Sequence, residues 1–376
     1  MLRYLSAGES HGEALVAIID GFPRGLRVNI DDINRELYIR QTTYGRGERS
    51  KIEQDKVHFV SGLRGGVTTG NPISFLIPNK DYWKDSLDCC DGDIRLKSVY
   101  RPRPGHADFA GVQKYGISDA RDILERASAR DTATRCVVGS ICCQLLAQVG
   151  ILLYGIILQI GNAKIDIDFG NLDTSKSTDI YGINDSNFAT RVVQEIDSAK
   201  KNKDTVGGKI AIIAKGMPIG VGSYTSYDTK LTYHISAALA SLQTVKSVEF
   251  GDISNLIGSR GSNFQDCIYY DDFGDIRHAS NNAGGITGGV SNGQDIIVRC
   301  GLKPIPTILK GMQTIDFATM TNEKNIYQRS DICHVPAACL VAKNILAFVL
   351  AQQLISHTGA VTVEQFSERL GRKNNI

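Results

Sequence analysis

Pro336-Ala-Ala-Cys-Leu-Val-Ala-Lys-Asn-Ile-Leu-Ala-Phe-Val-Leu-Ala351 is the stretch on which the architecture turns. Proline suits the first turn of a helix, where N–H groups have no intrahelical acceptor. The pattern runs to about Ile355, ahead of Thr358-Gly359. Its residues are apolar on most sides, so this helix must be enclosed rather than laid on a surface. Strand-prone runs at 14–20, 57–61, 73–78, 209–215 and 295–300 supply layers to enclose it. The fold class read from this is α+β, with a helical core between sheets.

Two further helices are legible. One starts at Ser128, where Ser-x-x-Asp131 reads as a capping box and Val137, Ile141, Leu145 and Val149 recur every four residues. The other covers about 231–242, where small residues allow close packing. Two polar stretches, 79–98 with the lone Trp83 and 168–186, read as loops. The first is best taken as a surface excursion, with a lid as the alternative. No Pro/Ser-rich linker interrupts the chain, so residues 1–376 read as one domain, with 365–376 a frayed tail.

Composition narrows the class of protein. At 376 residues and a formal net charge of +2, nothing global favours nucleic acid or an anionic membrane. Any anion site is therefore a local concentration of arginine. Nine cysteines without C-x-x-C spacing argue for a reducing compartment and against a disulfide framework or metal site. No signal peptide is visible, and the apolar stretch 151–160 is too short to span a bilayer, so the reading is cytoplasmic. Glycine doublets suggest tight turns. Gly65-Gly-Val-Thr and Gly284-Gly-Ile-Thr echo one another, by coincidence or by an old internal duplication.

The pentapeptide Gly8-Glu-Ser-His-Gly12 has two incompatible readings. As G-x-S-x-G it matches the nucleophile elbow of a serine hydrolase, but an elbow needs a sheet built before it. Only Leu2-Arg-Tyr-Leu5 precedes, and Ala14–Asp20 reads as a strand rather than a helix. The alternative is a Gly-bounded turn that holds an acid over a bound anion. Downstream, Arg40-Gln-Thr-Thr-Tyr-Gly-Arg46-Gly-Glu-Arg49 carries two glycines and reads as a loop gathering three guanidiniums. Such groups suit phosphate and carboxylate, and a solvated basic turn is the alternative. Arg101-Pro-Arg103-Pro-Gly-His106-Ala-Asp108 fixes the backbone around His106; only His11 and His106 of seven histidines sit in rigid Gly/Pro frames. That placement suits acid–base work near neutral pH. Arg126-Ala-Ser128-Ala-Arg130 opens a helix where an anion is received well. Lys303-Pro-Ile-Pro-Thr307 is a rigid segment headed by a cation, and Arg329-Ser-Asp331 precedes the buried helix.

Taken together, Gly8-Glu-Ser-His-Gly12, Arg103-Pro-Gly-His-Ala-Asp108, Arg126-Ala-Ser-Ala-Arg-Asp-Thr-Ala133, Asn282-Ala-Gly-Gly-Ile-Thr-Gly-Gly289, Lys303-Pro and Arg329-Ser-Asp-Ile-Cys333 resemble the ordered motifs of the chorismate synthase family. The resemblance spans nearly the whole chain. It implies a phosphate lyase of the shikimate pathway: anti-1,4-elimination from 5-enolpyruvylshikimate 3-phosphate to chorismate, dependent on reduced FMN without net redox change. It also implies a β-α-β sandwich of antiparallel sheets with internal pseudo-two-fold symmetry, assembled as a homotetramer.

By matching position, His11 would donate to the leaving phosphate and His106 to the flavin, with Asp331 and Ser10 in a proton relay. Arg40, Arg46, Arg49, Arg103, Arg130 and Arg329 would bind substrate. FMN would meet Arg126, Ala127, Ser128, Gln243, Thr244, Gly288, Lys303, Pro304, Ile305, Pro306, Thr307 and Arg329. Some family members reduce their own flavin with NADPH, and then Arg40 and Arg46 would contact NADP; others rely on a separate flavin reductase. No metal is implied. The chain departs from the family at Gln243-Thr244, at Ser247 in place of a turn glycine, at Asp131 for Glu, at Ser50 for Met, and at 261–266, which lacks an acidic pair. These departures motivate the other reading, a divergent paralogue that binds flavin or phosphate without catalysis.

Overall fold

In the computed structural model, residues 1–47, 52–171, 185–325 and 330–371 are described. Side chains that alternate between core and solvent build a first antiparallel sheet from β1 (Arg3–Ala7), β2 (Ala14–Asp20), β3 (His58–Ser61) and β4 (Ile73–Pro78), in the order β1-β2-β4-β3. Leu15, Ala17, Ile19, Ile73, Phe75 and Ile77 point inward. A second antiparallel sheet comprises β5 (Leu152–Ile160), β6 (Ala163–Lys164), β7 (Gly208–Lys215), β8 (Val245–Phe250) and β9 (Ile296–Leu302), in the order β8-β9-β7-β5-β6. The 151–160 run, too short for a bilayer, is thus a sheet strand.

The helices longer than one turn, among the described residues, are α1 (Ile30–Thr42), α2 (Asp108–Tyr115), α3 (Arg121–Ala127), α4 (Thr132–Ala147), α5 (Ser186–Lys201), α6 (Leu231–Ala240), α7 (Val335–Thr358) and α8 (Val363–Arg369). Helix α7 is the stretch that opened the sequence reading. It is long and apolar enough to cross a membrane, yet most of it is buried within the protein. It packs on α4, α1 and α6 and lies on strands β5 and β7, while α4 also meets β2. The layer order is sheet, helices, sheet, as the α+β reading requires.

Contact between α4 and α7 is close because Gly139 has no side chain. A Cβ there would land on the backbone carbonyl and side chain of Asn344. Gly155 does the same for helix on sheet, since its Cβ would sit 2.9 Å from Cys339 Sγ. A polar link crosses this core: Glu36 of α1 accepts from both Lys343 and Asn344 of α7.

Four expectations need correction. Arg40 lies in the last turn of α1 rather than in a loop; the glycines that broke the helix pattern, Gly45 and Gly47, come after it. The capping box at Ser128 does not form. Ser128 Oγ accepts from Arg130 N and caps a 3₁₀ turn at Ala129–Asp131, while the Asp131 carboxylate turns to Ser6, Arg126 and Arg135. The tail is not frayed through 365–369, because α8 is capped by Thr362 and buries Phe366. Stretch 79–98 is not a free excursion either: Asn79 is buried and its amide donates to the Glu9 and Gly12 carbonyls. Most of the 168–186 loop, residues 172–184, falls outside the described residues.

The echoed glycine doublets share a conformation. Gly65 and Gly66 have φ +57° and +78°, Gly284 and Gly285 +67° and +78°, and each pair leads into a two-residue strand of Val/Ile-Thr. All nine cysteines are free thiols.

The helix contact yields a test. Gly139→Ala should destabilise the fold by about 1–3 kcal/mol, because a methyl forces the two central helices apart. Thermal unfolding should show a Tm lower by several degrees; an unchanged Tm would mean the contact carries no constraint.

Candidate active site

The loop between β1 and β2 is held by backbone geometry. Gly8 has φ +107°, and a Cβ there would strike the Ala14 carbonyl and the Leu15 backbone. Ser10 is buried; its N–H donates to the Glu125 carbonyl (3.1 Å) and its Oγ faces Ser128 Oγ at 3.1 Å. The serine therefore sits between two strands, not on a strand-to-helix turn, which removes the structural basis of the elbow.

His11 is held from two sides. Its N–H donates to Glu125 Oε2 (2.8 Å), and its Nδ1 lies 3.0 Å from both Glu125 oxygens. The ring stacks on Trp83, centroids 3.7 Å apart and planes 15° from parallel. Trp83 N–H in turn donates to the His11 carbonyl (3.0 Å). Glu125 is 2% exposed and also pairs with Arg121 at 3.0 Å. Burial alone would push its carboxyl up, but hydrogen bonds and charge from His11 and Arg121 more than offset that and hold it low.

His106 sits in a second acid–base cluster. Its Nδ1 lies 2.5 Å from Asp108 Oδ1, and Arg103 Nη2 lies beside both ring nitrogens, 2.9 Å from Nδ1 and 3.2 Å from Nε2. A carboxylate only accepts, so Nδ1 carries its proton toward Asp108. Arg103 also grips Asp108 through Nε (2.8 Å) and Nη2 (3.1 Å) and reaches Thr307 Oγ1 (3.3 Å). Burial raises the Asp108 carboxyl, but the His106 and Arg103 bonds and the Arg103 charge win and hold it far below the usual carboxylate range.

The arginines divide into two groups. Arg40, Arg103 and Arg130 are buried. Arg40 is spent on Thr132, Asp55 and the Ala129 carbonyl, and Arg130 on Asn79, Asp55 and Glu53. Burial lowers Arg40 to about 10, against the opposing charge of Asp55. Arg46 is different. It pairs with Asp331 at 2.5 Å on a loop rather than within the buried group, Asp331 also accepts from Gly47 N–H, and Arg46 Nε, like Arg130 Nη2, is buried without a hydrogen bond. Nearby His334 is buried with neither ring nitrogen bonded, and burial drops it to about 4 although Asp331 opposes this. Arg49 and Arg329 fall outside the described residues.

Backbone contacts bring the remaining segments together. Arg126 donates to the Gly8 and Ser6 carbonyls, and Arg135 to Ser241. Thr244 O accepts from Lys303 N–H (2.9 Å), Lys303 Nζ donates to the Gly105 carbonyl, and a Cβ on Gly105 would touch Pro306. Ile305 O accepts from Thr205, whose neighbour Val206 donates to Ile332 O beside Asp331. Gln243 is exposed. Gly288 lies at a hairpin turn (φ +64°) that docks through Gly289 O on Leu231 N at the start of α6. A cavity of about 320 Å³ opens against Trp83, Lys97, Tyr100, Arg101, Arg103 and Arg121. A larger surface hollow of about 410 Å³ beside Asp204 and Lys310 is lined by none of the expected substrate, cofactor or catalytic residues.

This donor set fits an anionic ligand and a flavin phosphate. Leaving a buried donor such as Arg46 Nε unpaired costs about 1–3 kcal/mol, which an anion would recover. Burial, and after it the charge of Lys246, holds Lys303 below the ordinary lysine value. No cluster among the described residues has the makeup of a metal site.

A family model described as chorismate synthase matches residues 2–355. The chain belongs to the chorismate synthase family. Among curated chorismate synthases, that of Caldicellulosiruptor bescii is 43% identical over all of both chains. That of Desulforudis audaxviator is 43% identical over 96% of this chain and 94% of its own. A solved structure titled "Crystal Structure of Chorismate Synthase" superposes with a TM-score of 0.76 at 30% identity, covering 98% of this chain and 96% of that one.

Sequence reasoning did not single out Glu125, Trp83, Asn79, Asp55 or Asp108 as functional. Asp108 and Glu125 each flank a chosen residue in sequence, and that adjacency was the one signal on offer. Trp83 and Asn79 gave none, because their role exists only across the 79–98 fold.

The depressed carboxyls set an acid limit. Asp108 and Glu125 bind protons more weakly folded than unfolded, so their stabilisation is present above an unfolded value of about 4 and lost as pH falls below it. Tm should fall between pH 6 and pH 3, and Asp108→Asn should be less stable at pH 6 but show a shallower fall. An equally steep fall in the variant would place the acid sensitivity elsewhere.

Proposed function

We propose that this chain catalyses the anti-1,4-elimination of phosphate from 5-enolpyruvylshikimate 3-phosphate, giving chorismate, in a reaction that depends on reduced FMN. It acts as a carbon–oxygen lyase on a phosphate ester. The observation that carries the reading is the convergence of motifs spread over some three hundred residues. His11 is held against Glu125, His106 against Asp108, and Arg46 against Asp331, with the Lys303 segment tied to the His106 loop.

Reduced FMN, when bound, supplies an electron-rich partner whose electrons return by the end of the reaction. The protein groups then have separable tasks. Arg46, with a spare donor, binds an anionic group of the substrate. With Nδ1–H held by Glu125, His11 in its imidazolium form donates from Nε2 to the departing phosphate. His106, between Asp108 and Arg103, holds or delivers a proton toward the flavin. Ser10 with Ser128, and Asp331, supply hydroxyl and carboxylate positions for proton transfer. Arg126, Lys303 and the open turn at Gly288 suit the cofactor. Arg40, Arg103 and Arg130 act from below, keeping the loops in place through Asp55, Asp108 and Asn79.

The departure at Ser247 does not favour a non-catalytic paralogue. Its hydroxyl accepts from Gly301 N–H (3.1 Å) at a bulge in β8, so the strand absorbs the change. A homotetramer is the assembly consistent with Leu5, Val16, Ile18 and Val60 exposed on the outer face of the first sheet. A cytoplasmic location and one continuous functional domain complete the reading.

Phosphate release from the enolpyruvyl substrate, measured anaerobically with dithionite-reduced FMN, should be catalytic; no turnover by folded protein would end this assignment. His11→Ala and His106→Ala should each lower kcat about 10²–10⁴-fold with the fold intact, and Arg46→Ala should chiefly raise KM. Activity within a few-fold of wild type would remove that histidine from the mechanism.

Of the two arginines that the resemblance assigns to NADP, Arg40 is buried and fully paired and Arg46 alone keeps a donor, so the reading favours a separate source of reduced flavin. Aerobic NADPH oxidation with FMN should run no faster with the protein than without it. A protein-dependent rate would overturn this point.

A further inference from the structure

We propose that Glu125 and Trp83 form a clamp that positions His11, with Glu125 fixing which ring nitrogen carries the proton and Trp83 fixing the ring plane. The inference rests on the proposed function for the meaning of His11, but its geometry stands apart from it.

Glu125 reaches His11 twice, at the backbone N–H and at Nδ1. An ionised carboxylate can only accept, so Nδ1 keeps its hydrogen toward Glu125 in both the charged and the neutral ring, and Nε2 is the position that gains and gives up the second proton. The carboxylate is kept ionised by the same contacts and by Arg121, one helical turn before it. It is also immobile: Glu125 is 2% exposed, and its own carbonyl accepts from Ser10 N–H. A single residue of α3 therefore holds the backbone at Ser10 and both the backbone and the ring of His11.

Nδ1 alone leaves the ring free to swing about its side-chain bonds. Trp83 removes that freedom by stacking nearly parallel at 3.7 Å. Trp83 is itself restrained, since Nε1 donates to Asp81 (3.2 Å) and Arg121 and Lys97 lie over its ring at 5.4 and 5.1 Å. Arg121 thus supports both jaws, as ion partner of Glu125 and as cation on Trp83. His11 Nε2 lies 3.9 Å from Asp81 Oδ2, at the edge of ion-pair distance, so the carboxylate that anchors the Trp83 indole also faces the working nitrogen.

The test uses full-length protein carrying ¹⁵N-histidine. Long-range ¹H–¹⁵N spectra, with His11 assigned by its loss in His11→Ala, should show the Nδ1–H form in wild type and loss of that preference in Glu125→Gln. With substrate and reduced FMN, Glu125→Gln should lower kcat about 10- to 100-fold while KM stays within about threefold, the size typical of removing a histidine's orienting partner. In a His11→Ala background the same change should cost little more, because the two act as one unit. Trp83→Ala should also lower kcat, and Trp83→Phe should recover most of that loss.

An unchanged tautomer in Glu125→Gln, or a loss that multiplies fully with that of His11→Ala, would overturn the clamp. Should Glu125→Gln not fold, an unchanged kcat in Trp83→Ala would overturn the stacking half, and Glu125→Asp carries the tautomer measurement. If wild type fails to turn over the substrate, the functional reading falls while the spectra still decide the clamp.

Discussion

Everything in this molecule depends on burying one helix that has no polar face. Helix α7 must be covered on all sides, and the cover is α4, α1, α6 and the second sheet, with the first sheet closing over α4. Close approach is achieved where side chains are absent, at Gly139 against Asn344 and at Gly155 against Cys339. Interiors packed at this density transmit position rather than absorb it. That is why loops at the ends of these helices can be held to hydrogen-bond accuracy.

The candidate site grows from those ends. The chain entering α4 carries Ser128 and Arg130, and the chain entering α7 carries Asp331 and His334. The 40–47 segment joins them: Arg40 grips Ala129 and Thr132, while the Gly45 carbonyl accepts from Ile332 and Cys333. A Cβ on Gly45 would press on Cys333, and one on Gly47 on the Ser330 carbonyl. Arginines that look interchangeable in sequence are thus of two kinds. Arg40 and Arg103 spend their donors on buried partners, where removing a carboxylate would strand a charge, and Arg130 does the same through Asn79 and Asp55 while its Nη2 makes no hydrogen bond. Arg46 keeps one donor in reserve beside its carboxylate, which is what a binding residue needs.

Much of the architecture was legible in the chain. The strands at 14–20, 73–78, 209–215 and 295–300 are short, mostly apolar runs with visible bounds, while the alternation of burial along the first two appears only in the fold. Helix α7 announced itself by being apolar all round. Arg40 was misread because glycines five and seven residues on were allowed to speak for it, and α1 has little apolar periodicity. The strand at Leu152–Ile160 was weighed only as a membrane candidate. The capping box at Ser128 failed because Asp131 had better partners in Arg126 and Arg135, which sequence spacing cannot rank.

By itself, the sequence determined the class of fold, the family and the identity of the two framed histidines, since these rest on residue types and on spacing along the chain. Only the tertiary structure decided which partners those histidines have. Glu125 lies 114 positions from His11, and Trp83 belongs to a loop with no pattern of its own. A pairing across such distances depends on the packed core that brings the segments together. No local preference records it.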